Sequence, residues 1–173
     1  MFRLLKHLPI AAFCLAITAT SAKANWQFTK WGMSPKELEQ VSPVKLRVKI
    51  STGDNCPAKN PLGKTYNVRY ASDWNVGSMK FIACYLFLDN KLNRVYLTSS
   101  NVDAAAIIKG LSQRYGSPQV NTLLSSVGIV SYNWDLLNEE IRFVLRKYED
   151  KELYIVDYKS KKGTNEILIR DGL

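Results

Sequence analysis

Histidine is almost missing from this 173-residue chain, since His7 is the only one. It lies in an N-terminal stretch that we expect to be removed, which leaves the rest of the chain without imidazole. Neither a Ser-His-Asp nor a Cys-His nucleophile system can then be assembled, and no histidine metal site can form. No unperturbed side chain would titrate near neutral pH. The sequence therefore predicts a protein that is not an enzyme, with no cofactor and no metal site.

Apolar runs long enough to cross a membrane are also missing. Residues 1–24 combine a basic start at Arg3 and Lys6, roughly a dozen mostly apolar residues, and the small-x-small ending Ala22-Lys23-Ala24. This order is typical of a secretory signal peptide that is cleaved between Ala24 and Asn25. The alternative, a retained anchor, needs about 20 apolar residues. We expect a signal peptide over 1–24 and one domain over 25–173, with no transmembrane span after cleavage and a periplasmic or secreted location in a Gram-negative envelope.

Cysteine is scarce, with three in the chain. Cys14 falls in the predicted leader, and the bulky Phe13 before it makes lipid attachment unfavourable. Cys56 and Cys84 are left, and a lone pair in an oxidising compartment usually forms a disulfide. A redox-active pair normally has the closer C-x-x-C spacing. We therefore predict a structural disulfide between Cys56 and Cys84.

Acidic residues are fewer than basic ones, 15 against 24, and the predicted leader removes three of the bases. The basic residues recur at alternate positions within strand-like segments, in two groups: Lys45, Arg47 and Lys49; Arg142 and Arg146. Such stripes suit an anionic envelope component or an acidic protein, although solvated strand faces are the simpler interpretation. No nucleic-acid-binding motif is recognised, so nucleic acid is not an expected partner.

Aromatic residues alternate in the neighbouring segments, with Tyr66, Tyr70 and Tyr85 as the main candidates for a binding surface. An exposed aromatic patch would mark a partner or ligand site. The alternative is an ordinary core beneath the helices.

The periodicities predict an α+β fold in which two short helices pack on one face of an antiparallel sheet. Ser34, Pro35 and Glu37 form a helix start with a capping box. The order of elements also suggests a duplicated helix-plus-meander unit. We predict a helix over Pro35–Val41, a second one that follows Ser100 or Asn101 and ends at Gly116, and strands over Val44–Ile50, Tyr66–Trp74, Met79–Leu88, Leu92–Thr98, Ile129–Asp135, Glu140–Tyr148 and Glu152–Lys159.

The stretch from Trp31 to Leu38, Trp-Gly-Met-Ser-Pro-Lys-Glu-Leu, resembles the opening of small exported proteobacterial proteins that are largely uncharacterised. A helix followed by Tyr115-Gly116-Ser117-Pro118 and a strand is similar to a pattern in SmpA/OmlA-type outer-membrane assembly lipoproteins and in β-lactamase-inhibitor-protein-like modules. The resemblance implies a helix pair on a small antiparallel sheet that binds other proteins through its surface. This chain departs from the pattern because it lacks a credible lipidation cysteine and has a long loop after its first helix. No binding residue is carried over.

These features favour an exported, non-enzymatic binding module that recognises a protein or an anionic envelope component. One rival hypothesis is an inhibitor or immunity protein against an acidic enzyme. The other is a hydrolase that uses carboxylates or a Ser-Lys pair. Ser42 and Lys45 match the S-x-x-K pattern, but Pro43 breaks the helical turn that this chemistry needs. Glu139 and Glu140 lie at a predicted turn, where solvated carboxylates are expected.

Overall fold

A computed structural model describes residues 26–48, 50, 54–149 and 151–161. The predicted leader, its cleavage site at Ala24 and Asn25, and Lys49 lie outside the described residues. The helices are α1 (Pro35–Val41) and α2 (Ala104–Tyr115), and a short 3-10 turn covers Ser125–Val127. The strands are β1 (Val68–Val76), β2 (Met79–Leu88), β3 (Lys91–Ser99), β4 (Gln119–Asn121), β5 (Ile129–Asp135), β6 (Glu139–Tyr148) and β7 (Lys151–Ser160).

The strands form one seven-stranded sheet in the order β1-β2-β3-β7-β6-β5-β4. Every neighbouring pair is antiparallel. Each helix precedes a three-stranded meander, β1–β3 or β5–β7, and the last strands of the two meanders pair at the centre of the sheet. This arrangement confirms the predicted α+β fold, and the order of elements is the one expected of a duplicated unit with β4 added to the second half.

Local sequence signals explain both helices. The Ser34 side chain accepts a hydrogen bond from the Glu37 amide, and the Glu37 carboxylate accepts one from the Ser34 amide, so the predicted capping box is present. Helix α2 is capped by Asp103 rather than by Ser100 or Asn101, because the Asp103 carboxylate reaches the amide of Ala106.

Both helices pack on the same side of the sheet, which we call the helix face. Leu38 of α1 and Leu111 of α2 belong to one core cluster with the large side chains of alternate strand positions. The central members of that cluster are Trp26, Tyr70, Phe81, Tyr85, Phe87, Val95, Leu97, Trp134, Ile141, Phe143, Val156 and Tyr158. The opposite side of the sheet, which we call the outer face, carries no helix among the described residues.

Part of the outer face is covered by the loop that precedes β1. Cys56 and Cys84 lie within disulfide distance of each other, in agreement with the predicted bond. Tyr66 packs with Cys84 and Leu86 in a second small cluster under this loop. Strand β2 is therefore covered on both sides, as its apolar pattern predicts.

The predicted strand over Val44–Ile50 is wrong. Of its described residues, Arg47 alone takes part in a ladder, through an isolated antiparallel bridge to Ala71. The Arg47 guanidinium also binds Asp54 on the loop and Asp73 on β1, at 3.1 and 2.9 Å. These contacts hold the segment to the sheet edge at one point, while the chain turns toward the outer face instead of extending the sheet.

Candidate anion-binding site

The part of the outer face that no described loop covers holds a group of charged side chains on β3, β6 and β7. Strand pairing places Arg142 opposite Asp157, and Asp157 opposite Tyr96. Arg94 and Arg146 point to the same side, because they are two and four positions away from Tyr96 and Arg142 on their strands. We call these five residues the arginine face.

A buried ion pair forms the base of the arginine face. The Nε and Nη2 atoms of Arg94 donate to the two carboxylate oxygens of Asp157, at 2.5 and 2.6 Å. The side chains of Arg94 and Asp157 are only 7% and 5% exposed. Burial by itself lowers the pKa of Arg94, but the hydrogen bonds and charge of Asp157 more than compensate and raise it overall. Arg94 therefore stays charged.

The arginine face has more positive than negative charge. Arg142 also donates to Asp157, at 3.3 Å, so a single carboxylate is shared by two guanidinium groups. The third, Arg146, has a long contact of 3.4 Å to the Tyr148 hydroxyl. The Nε atoms of Arg142 and Arg146 are buried and have no hydrogen-bond partner among the described residues. Guanidinium groups in this condition favour a carboxylate or phosphate ligand, which would neutralise them and accept their hydrogen bonds.

Arg94 lies over the ring of Tyr96, and the charges of Arg142 and Arg146 also act on this side chain. The central guanidinium carbon of Arg94 lies 4.9 Å from the ring centroid. Burial and the charge of Asp157 raise the pKa of Tyr96, while the charges of Arg94, Arg146 and Arg142 oppose that rise. The side chains of β3 and β6 are therefore close enough to act on one ligand together.

Tyr66 lies beside this site but is covered by the loop. It is 3% exposed, and burial raises its pKa while the neighbouring charge of Arg94 opposes the rise. Of the residues predicted from sequence, Arg142, Arg146 and Tyr66 thus lie on the same side of the sheet, although Tyr66 is buried near Arg94 and offers no exposed surface.

The other predicted tyrosines are part of the core. Tyr70 and Tyr85 are 6% and 0% exposed on the helix face. The Tyr70 hydroxyl donates to Glu39, which with burial raises its pKa to about 12. Burial raises the pKa of Tyr85 to about 12. The prediction of an exposed aromatic patch is therefore wrong, and its alternative, a core beneath the helices, is correct.

Of the predicted basic stripe, Lys45 and Arg47 lie outside the arginine face, and Lys49 lies outside the described residues. Lys45 is exposed beside the edge of the sheet, and Arg47 is engaged with Asp54 and Asp73. Neither Lys45 nor Arg47 belongs to one of the seven strands, so these two residues form no basic strand face.

Sequence reasoning missed three members of the arginine face: Arg94, Tyr96 and Asp157. A signal was available, since Arg94 and Asp157 carry opposite charges and each directly adjoins an apolar run of its strand, 95–97 and 154–156. A charge at such a position is rarely buried unless it is paired. The two residues are 63 positions apart, and the pairing of β3 with β7 is what brings them together.

Glu139 was also predicted wrongly, because it is buried rather than solvated. It is 1% exposed on the helix face, and its carboxylate accepts a hydrogen bond from the indole of Trp31 at 2.9 Å. Burial raises its pKa, against the opposing effects of Trp31 and the charge of Arg114. Its neighbour Glu140 lies near Lys159 on the outer face, at 3.8 Å.

In the part of the chain that the structure describes, no three His, Cys, Asp or Glu side chains are grouped so that they could hold a metal ion. Neither helix of the described residues has the length and hydropathy needed to cross a membrane. Comparison with known protein families, curated proteins and solved structures gives no match to the chain. The resemblance to SmpA/OmlA-type and β-lactamase-inhibitor-protein-like modules therefore stays a prediction.

Proposed function

We propose that this protein is an exported, non-enzymatic binding module that recognises an anionic partner of the cell envelope through the arginine face. The partner supplies carboxylate or phosphate groups, which are the planar or tetrahedral oxyanions that guanidinium groups bind best. Export is supported by the leader pattern of residues 1–24 and by the disulfide distance between Cys56 and Cys84.

One observation carries the proposal: the described residues of the arginine face hold three guanidinium groups and a single carboxylate, that of Asp157, which Arg94 and Arg142 contact and Arg146 does not. Asp157 can neutralise only one of the three positive charges, so the arginine face keeps an excess of two positive charges on Arg94, Arg142 and Arg146. Arg142 is 41% exposed in its side chain, so a ligand can reach it from solvent. A rigid sheet holds both side chains, which reduces the entropy lost when a ligand binds.

The test compares two double variants that lose the same charge. Arg142→Gln with Arg146→Gln removes the excess charge and leaves the Arg94–Asp157 pair in place. Lys36→Gln with Lys91→Gln removes two exposed charges elsewhere on the surface. Each protein is measured for co-sedimentation with phosphatidylglycerol vesicles and with cell-wall sacculi at low and high salt, and for capture of acidic proteins from a periplasmic extract.

We expect the wild-type protein to bind in one of these arms at low salt and to be released at high salt, because salt screens charge. The arginine variant should bind about tenfold more weakly or worse, and the lysine variant should resemble the wild type. Equal losses in the two variants would show that net charge alone drives binding and would overturn the proposal. Absence of binding in every arm at low salt would do the same.

A further inference from the structure

A pocket lies on the helix face, between α2 and the hairpin of β1 and β2. Its volume is about 200 Å³, and it is lined by thirteen residues of which none is charged. Most of its wall comes from large apolar side chains: Trp26, Trp74, Met79, Phe81, Ile107 and Leu111. This volume exceeds the roughly 150 Å³ of an engineered apolar cavity that binds benzene. The pocket is therefore large enough for an apolar group, and it is separated from the arginine face by the whole sheet.

Gly110 lines this pocket from the middle of α2. Glycine inside a helix is destabilising relative to alanine, because it has more conformational freedom to lose. A Cβ atom placed on Gly110 would meet no heavy atom within 4 Å, and its backbone has no positive φ. Neither a close contact nor the backbone conformation therefore requires glycine at this position. A long side chain there would have the reach to fill the pocket.

The charge of α2 indicates what kind of apolar group the pocket takes. Residues Ala104–Tyr115 include two cations, Lys109 and Arg114, and no carboxylate. Lys109 is exposed and precedes Gly110, while Arg114 follows it by one helical turn. Arg114 is also close enough to Tyr158, which lines the pocket, for its charge to affect that side chain. The carboxylate of Glu139 also acts on Tyr158, but it is buried and bound to Trp31, whereas Arg114 is exposed. An apolar pocket with an exposed cation near one of its lining residues complements a molecule with a hydrocarbon tail and an anionic head.

We propose that this pocket binds the aliphatic tail of a single-chain anionic amphiphile such as a fatty acid, with the head group held by Arg114. This binding activity is independent of the anionic partner proposed for the arginine face, since the two sites lie on opposite sides of the sheet. Trp26 and Trp74, whose ring centroids are 5.1 Å apart, give the site an intrinsic fluorescent reporter.

The experiment titrates the purified protein with a fatty acid that carries bromine on its chain, below the concentration at which it forms micelles. Bromine quenches indole fluorescence on contact, so binding in this pocket should give saturable quenching. Gly110→Met places a long side chain at the pocket. Gln113→Met is the matched control, because it adds the same side chain to α2 at an exposed position outside the pocket.

We expect Gly110→Met to weaken binding by about tenfold or more and Gln113→Met to leave it within about twofold of the wild type. Arg114→Gln should weaken binding of the fatty acid but not of the uncharged alcohol of the same chain length. Thermal unfolding of each variant confirms that it is folded at the temperature of the titration.

Three results would overturn the proposal. The first is quenching that does not saturate or that is equal in Gly110→Met and Gln113→Met. The second is equal affinity of the wild type for the fatty acid and the alcohol, since the head group would then contribute nothing. The third is tryptophan emission that changes with protein concentration in the absence of fatty acid, because a second copy of the chain would then fill the pocket.

Discussion

At the residue scale, one buried carboxylate organises the arginine face. Asp157 binds Arg94 through two short hydrogen bonds and Arg142 through one longer contact. The Arg94–Asp157 pair is buried, whereas the side chain of Arg142 is partly exposed. Burial makes the two arginines energetically unequal, although they share a partner, since a buried charge that loses its partner cannot be solvated by water.

This inequality gives a prediction for single substitutions. Arg94→Leu should lower the free energy of unfolding by about 3–5 kcal/mol, because it removes the buried partner of Asp157. Arg142→Leu should cost about 1 kcal/mol or less, as expected for a solvent-screened pair. Urea denaturation of both variants measures the difference. Equal losses would mean that Arg94 and Arg142 contribute alike and that burial does not distinguish them.

Glu139 gives a second prediction, which concerns pH. Its pKa in the folded state is raised above the ordinary value by burial, so the folded protein holds this proton more tightly than the unfolded chain does. Stability from this group is therefore greatest at low pH and is lost as pH rises through the raised pKa. Glu139→Gln keeps an oxygen that can accept from the indole of Trp31 but has no charge to desolvate. The variant should be more stable than the wild type at pH 7.

The stability difference between Glu139→Gln and the wild type should shrink as pH falls below the ordinary glutamate pKa of about 4.3. Urea denaturation at pH 4 and pH 7 measures it, and Glu140→Gln is the control because Glu140 lies on the outer face. A wild type that is more stable than Glu139→Gln at pH 7 would show that the charge on Glu139 is favourable and would contradict this account.

At the element scale, local patterns were enough to predict most helices and strands. The capping box at Ser34 and Glu37 fixed the start of α1, and the doubly apolar pattern of Met79–Leu88 identified a strand that is covered on both sides. Alternation alone was misleading at Val44–Ile50, because a strand also needs a partner along its length. The contacts of Arg47 hold that segment to β1 at a single bridge. Pairing across distant strands, which creates the arginine face, has no local signal.

The loop over the outer face depends on its disulfide more than on its own packing. The small cluster beneath it has three buried members, Tyr66, Cys84 and Leu86. Replacing both cysteines by alanine should lower the free energy of unfolding by about 3.5 kcal/mol, the chain-entropy value for the separation of 28 residues. Urea denaturation measures this loss. The wild type in excess reductant is the control and should match the variant, whereas a loss below about 1 kcal/mol would contradict the entropic origin of the effect.

At the scale of the whole molecule, the two meanders share one hydrophobic core and are joined by the pairing of β3 with β7, which we call the seam. Strands β3 and β7 pair at the centre of the sheet, and the buried Arg94–Asp157 pair crosses that seam. On the helix face, side chains of both meanders belong to the same hydrophobic cluster. Either meander alone would therefore expose its half of the core together with an unpaired central strand. The order of elements suggests two repeated units, but the packing does not allow them to be stable separately.

This packing predicts a single cooperative unfolding transition for the two halves. The calorimetric and van't Hoff enthalpies of unfolding should agree, as they do for two-state domains. Native-state hydrogen exchange gives the sharper measurement, because amides of β2 and β6, one in each meander, should open with the same free energy as global unfolding. The three-residue edge strand β4 serves as the internal control and should exchange faster, since its residues are exposed.

If β2 and β6 opened with different free energies, the seam between β3 and β7 would be too weak to couple the halves. The arginine face, which is built across that seam, would then be lost whenever either half opened.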